Sequence, residues 1–170
     1  VIGGATAAHR NVIAGNTNGG VNITGTGSDA TTTLSRNNWI GVDAGGSTLL
    51  PNGSFGISVE DVTGTSIREN IIAGHANIGV IVAAGSGTTI LDNSIHDNAS
   101  FGIDLGGDGA TANDAGDADN GANGLQNFPA LSAVTLAAGN AVTVSYSIDS
   151  SAAAPAIGSQ RLSATEADAR

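Results

Sequence analysis

Several residue types are missing from the chain, and each absence excludes a class of site. Its 170 residues include no cysteine and no methionine, and Phe, Trp and Tyr together number five. Without cysteine, disulfides, thiolate catalysis and cysteine-based zinc sites are excluded. The longest apolar run, residues 78–84, is far shorter than the roughly 18 residues of a membrane span, so we expect no membrane insertion.

Positively charged residues are also scarce. Lysine is absent, five arginines face 15 acidic residues, and the net charge is −10. Between Glu69 and Gln160 there is no Arg or Lys, whereas nine acidic residues fall in that stretch. A surface of this sign repels nucleic acid and anionic lipid and attracts divalent cations. We therefore expect no nucleic-acid partner.

Short motifs recur along the chain in a fixed order. Asn followed two residues later by a branched apolar residue alternates with Gly-apolar-x-apolar, and small polar residues precede a third apolar position. The motifs begin at Asn11, Asn38, Asn70 and Asn93, at Gly20, Gly56, Gly79 and Gly102, and at Thr33, Ser66 and Thr89. The four Gly positions are 36, 23 and 23 residues apart. Internal repeats of this length indicate a solenoid.

Each motif is a short alternating or β-branched stretch bounded by Gly, Asn or Asp, which is typical of strands. Three such strands in a period of about 23 residues describe one rung of a parallel β-solenoid. The sequence therefore predicts an all-β fold, a right-handed parallel β-helix of about four rungs over residues 1–129. A left-handed solenoid of six-residue repeats is excluded because no such repeat occurs.

Aligning the rungs predicts columns of equivalent residues. Apolar positions of the Gly-containing motif should point inward and the position between them outward. The inward columns are Val21, Ile57, Val80, Ile103 and Ile23, Val59, Val82, Leu105, and the outward column is Asn22, Ser58, Ile81, Asp104. Asn11, Asn70 and Asn93 should stack at a turn, and the second rung offers either Asn37 or Asn38. Residues 42–53 are predicted to be an insertion that projects as a loop.

The pattern changes after residue 129. Residues 133–136 and 142–148 alternate as two strands around a turn at 137–140, which predicts a short antiparallel pair with one buried face. From Ser150 the chain is rich in Ala and Ser. Residues 130–170 are therefore predicted to be a strand pair followed by an Ala- and Ser-rich tail, and the tail is a capping strand, a linker or the start of a truncated following domain. Because the chain begins at Val1 without a visible signal peptide, we expect it to be part of a longer protein.

Three stretches resemble a known family. Residues 10–16 read Arg-Asn-Val-Ile-Ala-Gly-Asn, residues 38–45 read Asn-Trp-Ile-Gly-Val-Asp-Ala-Gly, and residues 102–109 read Gly-Ile-Asp-Leu-Gly-Gly-Asp-Gly. Together with Leu-Gln-Asn-Phe-Pro at 125–129, they resemble right-handed β-helix repeat proteins of large secreted bacterial surface proteins. The resemblance implies the pectate-lyase-like architecture and an extracellular or cell-surface location. Enzymes of that superfamily cleave acidic polysaccharides, often with Ca²⁺ and an Arg or Lys base.

An acidic, Gly-rich loop at residues 104–124 is the candidate metal site. Short Asp side chains in such a loop can converge on one hard cation. The five candidate ligands are Asp104, Asp108, Asp114, Asp117 and Asp119. The spacing fits neither an EF-hand nor the repeated Ca²⁺-binding nonapeptide. Two interpretations remain open, a structural Ca²⁺ site and a solvated acidic loop held by Asx turns.

Catalytic residues are harder to place. If the chain is an enzyme, Arg68, Asp97 and Asp104 are the residues to suspect, although the outward column holds one acid in four and lysine is absent. These gaps favour a noncatalytic structural or adhesion module that contacts polysaccharide or another cell-surface partner, with Trp39 as the candidate sugar platform. Two alternatives are kept: a fragment of a polysaccharide lyase or glycoside hydrolase, and a filament subunit that self-associates head to tail.

Two further sets of side chains receive structural interpretations. With the Asn column aligned, His75 falls beside Asn16 and Asn98 at a turn, where it is predicted to be a polar turn residue. Phe55 and Phe101 occupy equivalent Ser-Phe-Gly-Ile motifs. An aligned aromatic pair in a solenoid is predicted to be a stacked column in the core.

Overall fold

Strands make up nearly all the regular structure. The computed structural model describes residues 1–25, 33–137 and 141–150. Two 3₁₀ segments lie at Ala7–His9 and Ala122–Leu125, and no helix in the described ranges is long and apolar enough to span a membrane. The strands of these residues are β1 Ile2–Gly3, β2 Val12–Ile13, β3 Val21–Thr24, β4 Leu34–Arg36, β5 Trp39–Ile40, β6 Ile57–Glu60, β7 Val62–Thr63, β8 Ser66–Arg68, β9 Ile71–Ala73, β10 Val80–Val82, β11 Gly85–Ser86, β12 Thr89–Leu91, β13 Ser94–His96, β14 Ile103–Leu105, β15 Ala130–Ala137 and β16 Ala141–Ser147.

Three parallel sheets form the walls of a solenoid. Sheet A contains β1, β4, β8 and β12, sheet B contains β2, β5, β9 and β13, and sheet C contains β3, β6, β10 and β14. Every rung contributes one strand to each sheet, and β7 pairs with β11 in a small parallel ladder between sheets C and A. The predicted all-β, parallel architecture with four rungs is confirmed.

The predicted register in sheet C is confirmed residue by residue. Val80 pairs with Ile57 on one side and with Ile103 on the other, and Val82 pairs with Val59 and Leu105. The middle rungs exclude these side chains from solvent completely, whereas Ile103 and Leu105 in the last rung are half-buried. Each rung buries its apolar residues against its neighbours, so the end of the stack is less covered.

The insertion at residues 42–53 projects only in its middle. Val42 and Asn52 at its two ends are buried, while Leu49 and Leu50 are exposed. The carboxylate of Asp43 accepts hydrogen bonds from the backbone N–H groups of residues 45, 47 and 48. These bonds close the turn and lower the pKa of the Asp43 carboxyl.

The final element is the expected antiparallel pair. β15 and β16 pair from Ala130 with Ser147 to the turn, with an irregularity between Leu131 and Ala133. The expectation of a buried face is wrong, because no described element covers the apolar side. Its exposed large residues are Leu131, Val134, Leu136, Val142 and Tyr146. The Ala- and Ser-rich tail at 151–170 and the turn at 138–140 lie outside the described residues.

Candidate functional site

A ladder of asparagine amides runs along the turn between sheets A and B. The backbone N–H and the Nδ2 of Asn38 both donate to Oδ1 of Asn70, at 2.9 and 3.0 Å. Asn70 repeats both bonds to Asn93, and Asn11 donates in the same way to Asn38. The predicted stack is confirmed, and Asn38 rather than Asn37 belongs to it. Asn37 instead takes a positive φ of 58° in the turn.

A second ladder runs along the turn between sheets B and C. The backbone N–H and Nδ2 of Asn16 donate to Oδ1 of Asn52, the N–H of Asn52 donates to Nδ1 of His75, and the N–H of His75 donates to Oδ1 of Asn98. His75 therefore lies beside Asn98 as a polar turn residue, as predicted. Asn52 was not predicted, although Asn52, His75 and Asn98 follow one another at the 23-residue period.

His75 differs from the other members of this ladder, which are asparagines. Its side chain is buried, and its Nε2 lacks a hydrogen bond of ordinary geometry among the described residues. Burial lowers the pKa of His75 to about 4, against a smaller opposing effect of the Ile40 carbonyl. Gly41 and Gly56 make room for the imidazole, since a Cβ on Gly56 would lie 2.7 Å from Nε2. The ring is therefore held neutral and serves the architecture.

The aromatic candidates have different environments. The guanidinium of Arg10 lies 4.1 Å from the ring centroid of Trp39. Gly46 of the insertion also packs on this indole, since a Cβ there would lie 2.8 Å from Cζ2. Phe55 is half-buried and its ring covers Gly19, but Phe101 is 40% exposed, so the predicted core column fails at the last rung. Beyond Phe101, no further rung continues the stack in the described residues.

The suspected catalytic residues are not brought together in one sheet. Arg68 ends β8 in sheet A, Asp97 directly follows β13 of sheet B, and Asp104 lies in β14 of sheet C. Asp97 is exposed and accepts a hydrogen bond at 2.7 Å from Nδ1 of His96, its sequence neighbour. The three side chains therefore occupy three different walls of the solenoid.

Asp104 corrects one prediction about the outward column. Its register is as expected, since it pairs with Ile81, but its side chain is only 3% exposed. The chain after β14 folds back over it, and the backbone N–H groups of Gly107 and Gly109 donate to its two carboxylate oxygens, each at 3.2 Å. The carboxylate of Asp104 therefore holds the start of the acidic loop.

Three of the five predicted metal ligands converge. Carboxylate oxygens of Asp114, Asp117 and Asp119 lie within 4.8 Å of one another. Asp104 and Asp108 are not in this group, and Asp108 is exposed. Oδ1 of Asp119 is enclosed and has no hydrogen-bond partner among the described residues. Burial, followed by the charges of Asp114 and Asp117, raises the pKa of Asp119. An enclosed, unpartnered carboxylate oxygen beside two further carboxylates suits a hard cation.

Amide side chains fix the backbone that carries these carboxylates. Oδ1 of Asn127 accepts from the N–H of Asp114 at 3.0 Å, and its Nδ2 donates to the Asp114 carbonyl at 2.8 Å. Asn113 makes the same two-way contact with the backbone of Phe128. Asp117 accepts from the N–H of Asn127 and from the hydroxyl of Ser150. The acidic loop is therefore a folded segment.

The same segment closes the last rung. The N–H of Thr88 donates to Oδ1 of Asn123 at 2.8 Å, and Nδ2 of Asn123 donates to the Thr88 carbonyl at 2.9 Å. Asn123 is buried, has a positive φ of 55°, and lies beside the buried Ala122. It takes the place that a fifth rung would occupy at this point. Sequence reasoning missed this residue, and its only signal was the turn-forming Asn-Gly pair at 123–124. We call residues 106–129 the cap.

Comparison with known proteins agrees with this architecture. The family model described as a right-handed beta helix region matches residues 3–147, which includes the four rungs, the cap and the strand pair. No curated protein and no solved structure gave a significant match. The match covers most of the chain and coincides with the parallel rungs of sheets A, B and C. The chain belongs to the right-handed β-helix family.

Proposed function

We propose that this chain is a noncatalytic structural or adhesion module of a secreted or cell-surface β-helix protein. The proposal rests on the hydrogen bonds of the polar side chains at the turns and at β14. The asparagine ladders, His75 and the carboxylate of Asp104 all bond to backbone groups of the solenoid itself. Groups committed in this way are unavailable for acid–base work, which needs a side chain within reach of the substrate.

A bound Ca²⁺ at Asp114, Asp117 and Asp119 forms the second part of the proposal. The cation would offset the repulsion of three clustered carboxylates and supply the missing partner of Asp119 Oδ1. Because the cap closes the last rung through Asn123, an ion that stabilises the cap also stabilises the solenoid end. The partner would be a polysaccharide or another cell-surface molecule, as the resemblance of the sequence motifs implies.

Thermal unfolding with Ca²⁺ and with EGTA tests the ion. We expect Ca²⁺ to raise the Tm by about 5 °C, since a ligand that binds only the folded state stabilises it. Asp119→Asn should abolish this increase and raise the Tm in EGTA, because it removes one of three repelling charges. Asp108→Asn, a matched exposed control in the same segment, should retain the increase. Equal behaviour of the two variants, or no Ca²⁺ effect on the unmodified chain, would reject the site.

A polysaccharide panel tests the noncatalytic role. The chain is incubated with acidic and neutral polysaccharides in Ca²⁺ and followed for unsaturated uronates and for new reducing ends, with binding measured in parallel. We expect binding without turnover, or neither. Turnover that disappears in Asp97→Asn at an unchanged Tm would overturn the proposal, because Asp97 is exposed and its loss should not disturb the fold.

A further inference from the structure

A groove of about 450 Å³ lies at the last rung, beside β14. The rung contributes Phe101, Ile103 and Leu105 to its lining, and the end of the cap contributes Phe128. Phe101 and Phe128 are 40% and 56% exposed. The groove is therefore an accessible, largely apolar surface at the place where a fifth rung would continue sheet C.

The backbone of β14 has one paired edge among the described residues. On the side of β10, the N–H of Val80 donates to the Gly102 carbonyl and the N–H of Gly106 donates to the Val82 carbonyl, both at 2.9 Å. Backbone groups of a strand face its two neighbours at alternate residues. The N–H and C=O groups of Ile103 and Leu105 consequently face away from β10, towards the side where the next strand would pair.

The cap leaves room for one strand at this end. Asn123 already satisfies the Thr88 backbone in front of sheet A, so a complete further rung would have to displace this part of the cap. The end groove lies in front of sheet C, where the lining includes residues of β14 itself. A single extended segment fits this arrangement better than the end of a second solenoid does.

The negative charge around the groove indicates which residues should flank the apolar part of a bound segment. The cap carries Asp108, Asp114, Asp117 and Asp119, and the sequence has no Arg or Lys between Glu69 and Gln160. The groove lining holds one charged residue, Asp104, which is buried and bonded to the backbone. An apolar centre within an acidic surrounding is complementary to an apolar segment with basic flanks.

We propose that the end groove binds an extended peptide of a partner protein as a fifth, parallel strand of sheet C. Addition of a strand to an open sheet edge takes its affinity from main-chain hydrogen bonds and its specificity from alternate side chains. Alternate apolar side chains of the peptide would stack on Phe101, Ile103 and Leu105, and basic residues on either side would face the acidic cap. This inference concerns the strand edge and holds whether or not the acidic triad binds Ca²⁺.

A synthetic peptide is the probe. Arg-Arg-Ser-Phe-Gly-Ile-Ser-Val-Arg-Arg copies residues 54–59, the segment that begins sheet C in the second rung, and adds basic flanks. In the proposed register, the second Ser donates its backbone N–H to the Ile103 carbonyl, whereas the N–H of the peptide Ile faces solvent. N-methylation of that Ser should therefore weaken binding about tenfold or more, and N-methylation of the Ile should change it less than about threefold.

Protein variants locate the binding. Ala110 lines the groove and is exposed, so Ala110→Trp should block the peptide. Ala112 is also exposed and does not line the groove, which makes Ala112→Trp the matched control. Binding is measured by fluorescence anisotropy of the labelled peptide with the full chain. Affinity should also fall as salt increases from about 0.02 M to about 0.3 M.

Several results would overturn the proposal. They are the absence of peptide binding up to about 1 mM, equal effects of the two N-methylations, and unchanged binding to Ala110→Trp. Specific occupation of the groove by an oligosaccharide, or self-association blocked by Ala110→Trp, would also overturn it by identifying a different occupant. Occupation by an oligosaccharide would agree with the proposed function, and the other outcomes bear neither on the polysaccharide panel nor on the Ca²⁺ measurement, so the two proposals fail separately.

Discussion

The four rungs and the cap use the same side chain in two different ways. In the rungs, each asparagine of the first ladder bonds to the asparagine of the next rung, so one interaction repeats in register through Asn38, Asn70 and Asn93. In the cap, Asn123 and Asn127 each bond in both directions to the main chain of one residue, Thr88 and Asp114 respectively, and Nδ2 of Asn127 also donates to the Asp149 carbonyl. A repeat can build a column, but closing its end requires interactions that occur once.

This difference predicts that replacing one asparagine lowers the free energy of unfolding by different amounts in the ladder and in the cap. A middle member of the ladder is buried between two partners, and its loss leaves polar groups on both sides without a partner. Loss of the Asn123 amide leaves the N–H and C=O of one residue, Thr88, without a partner, so fewer polar groups are affected.

The ladder is most sensitive at its centre. Asn70→Ala removes the acceptor for the backbone N–H and Nδ2 of Asn38 and the donor to the Ser35 carbonyl, all of which are buried. We expect a loss of about 3 kcal/mol or more in the free energy of unfolding, measured by urea titration. Asn11→Ala at the exposed end of the same ladder should cost about 1 kcal/mol or less. Similar costs at the two positions would contradict a cooperative ladder.

The cap should be less sensitive. Asn123→Ala leaves the N–H and C=O of Thr88 without their side-chain partner. We expect a loss of about 1–2 kcal/mol and faster proteolysis of the cap, with the rungs retained. The exposed Asn120→Ala is the control and should change neither measurement. If Asn123→Ala were as damaging as Asn70→Ala, the rungs and the cap would have to be regarded as one unit.

Sequence reasoning succeeded for the rungs and failed at their end for a physical reason. The register of Val80 and Val82 was predictable because the apolar pattern recurs at a fixed period. Asn123 occurs once, and its role depends on which backbone groups the last rung leaves unpaired. The burial of Asp104 was missed because a repeating pattern carries no information about the segment that follows it.

The candidate site was predicted only in part for the same reason. Asp114, Asp117 and Asp119 are close in sequence, so their clustering follows from a compact loop. Asp104 belongs to the same loop in sequence, but its carboxylate bonds to Gly107 and Gly109 instead. Sequence spacing alone could not distinguish an Asp that joins the carboxylate cluster from an Asp that bonds to the backbone.

His75 makes the second ladder sensitive to pH. Its pKa is about 4 in the folded chain, below the ordinary value of 6.5, so the unfolded chain binds the proton more readily. Stability should therefore fall as the pH decreases from about 6.5 towards 4, and should level off below that range. His75→Asn restores the residue type of its neighbours and should remove this part of the pH dependence, measured as Tm against pH. An unchanged profile would show that His75 titrates normally.

The ion pair on the surface of sheet A should contribute least to the free energy of unfolding. Arg36 and Glu69 form a two-pronged ion pair with both distances at 2.8 Å, and the Glu69 carboxylate raises the pKa of Arg36 while its own is lowered. Exposed pairs contribute little because solvent screens them. A double-mutant cycle of Arg36→Ala and Glu69→Ala should give a coupling free energy smaller than the effects of the single substitutions at Asn70, Asn123 and His75. About 0.5 M salt should remove this coupling. A coupling that survives salt would contradict this.

Residue-resolved hydrogen exchange tests the central claim that polar side chains build the solenoid. The backbone N–H groups of Asn38 and Asn70 donate to side-chain oxygens of the ladder, whereas that of Val80 donates to the main-chain carbonyl of Gly102. The account predicts that all three amides are protected to a similar degree, and that Thr88, bonded to Asn123, is protected less. Exchange of Asn38 and Asn70 at the rate of exposed loops, with Val80 still protected, would contradict it.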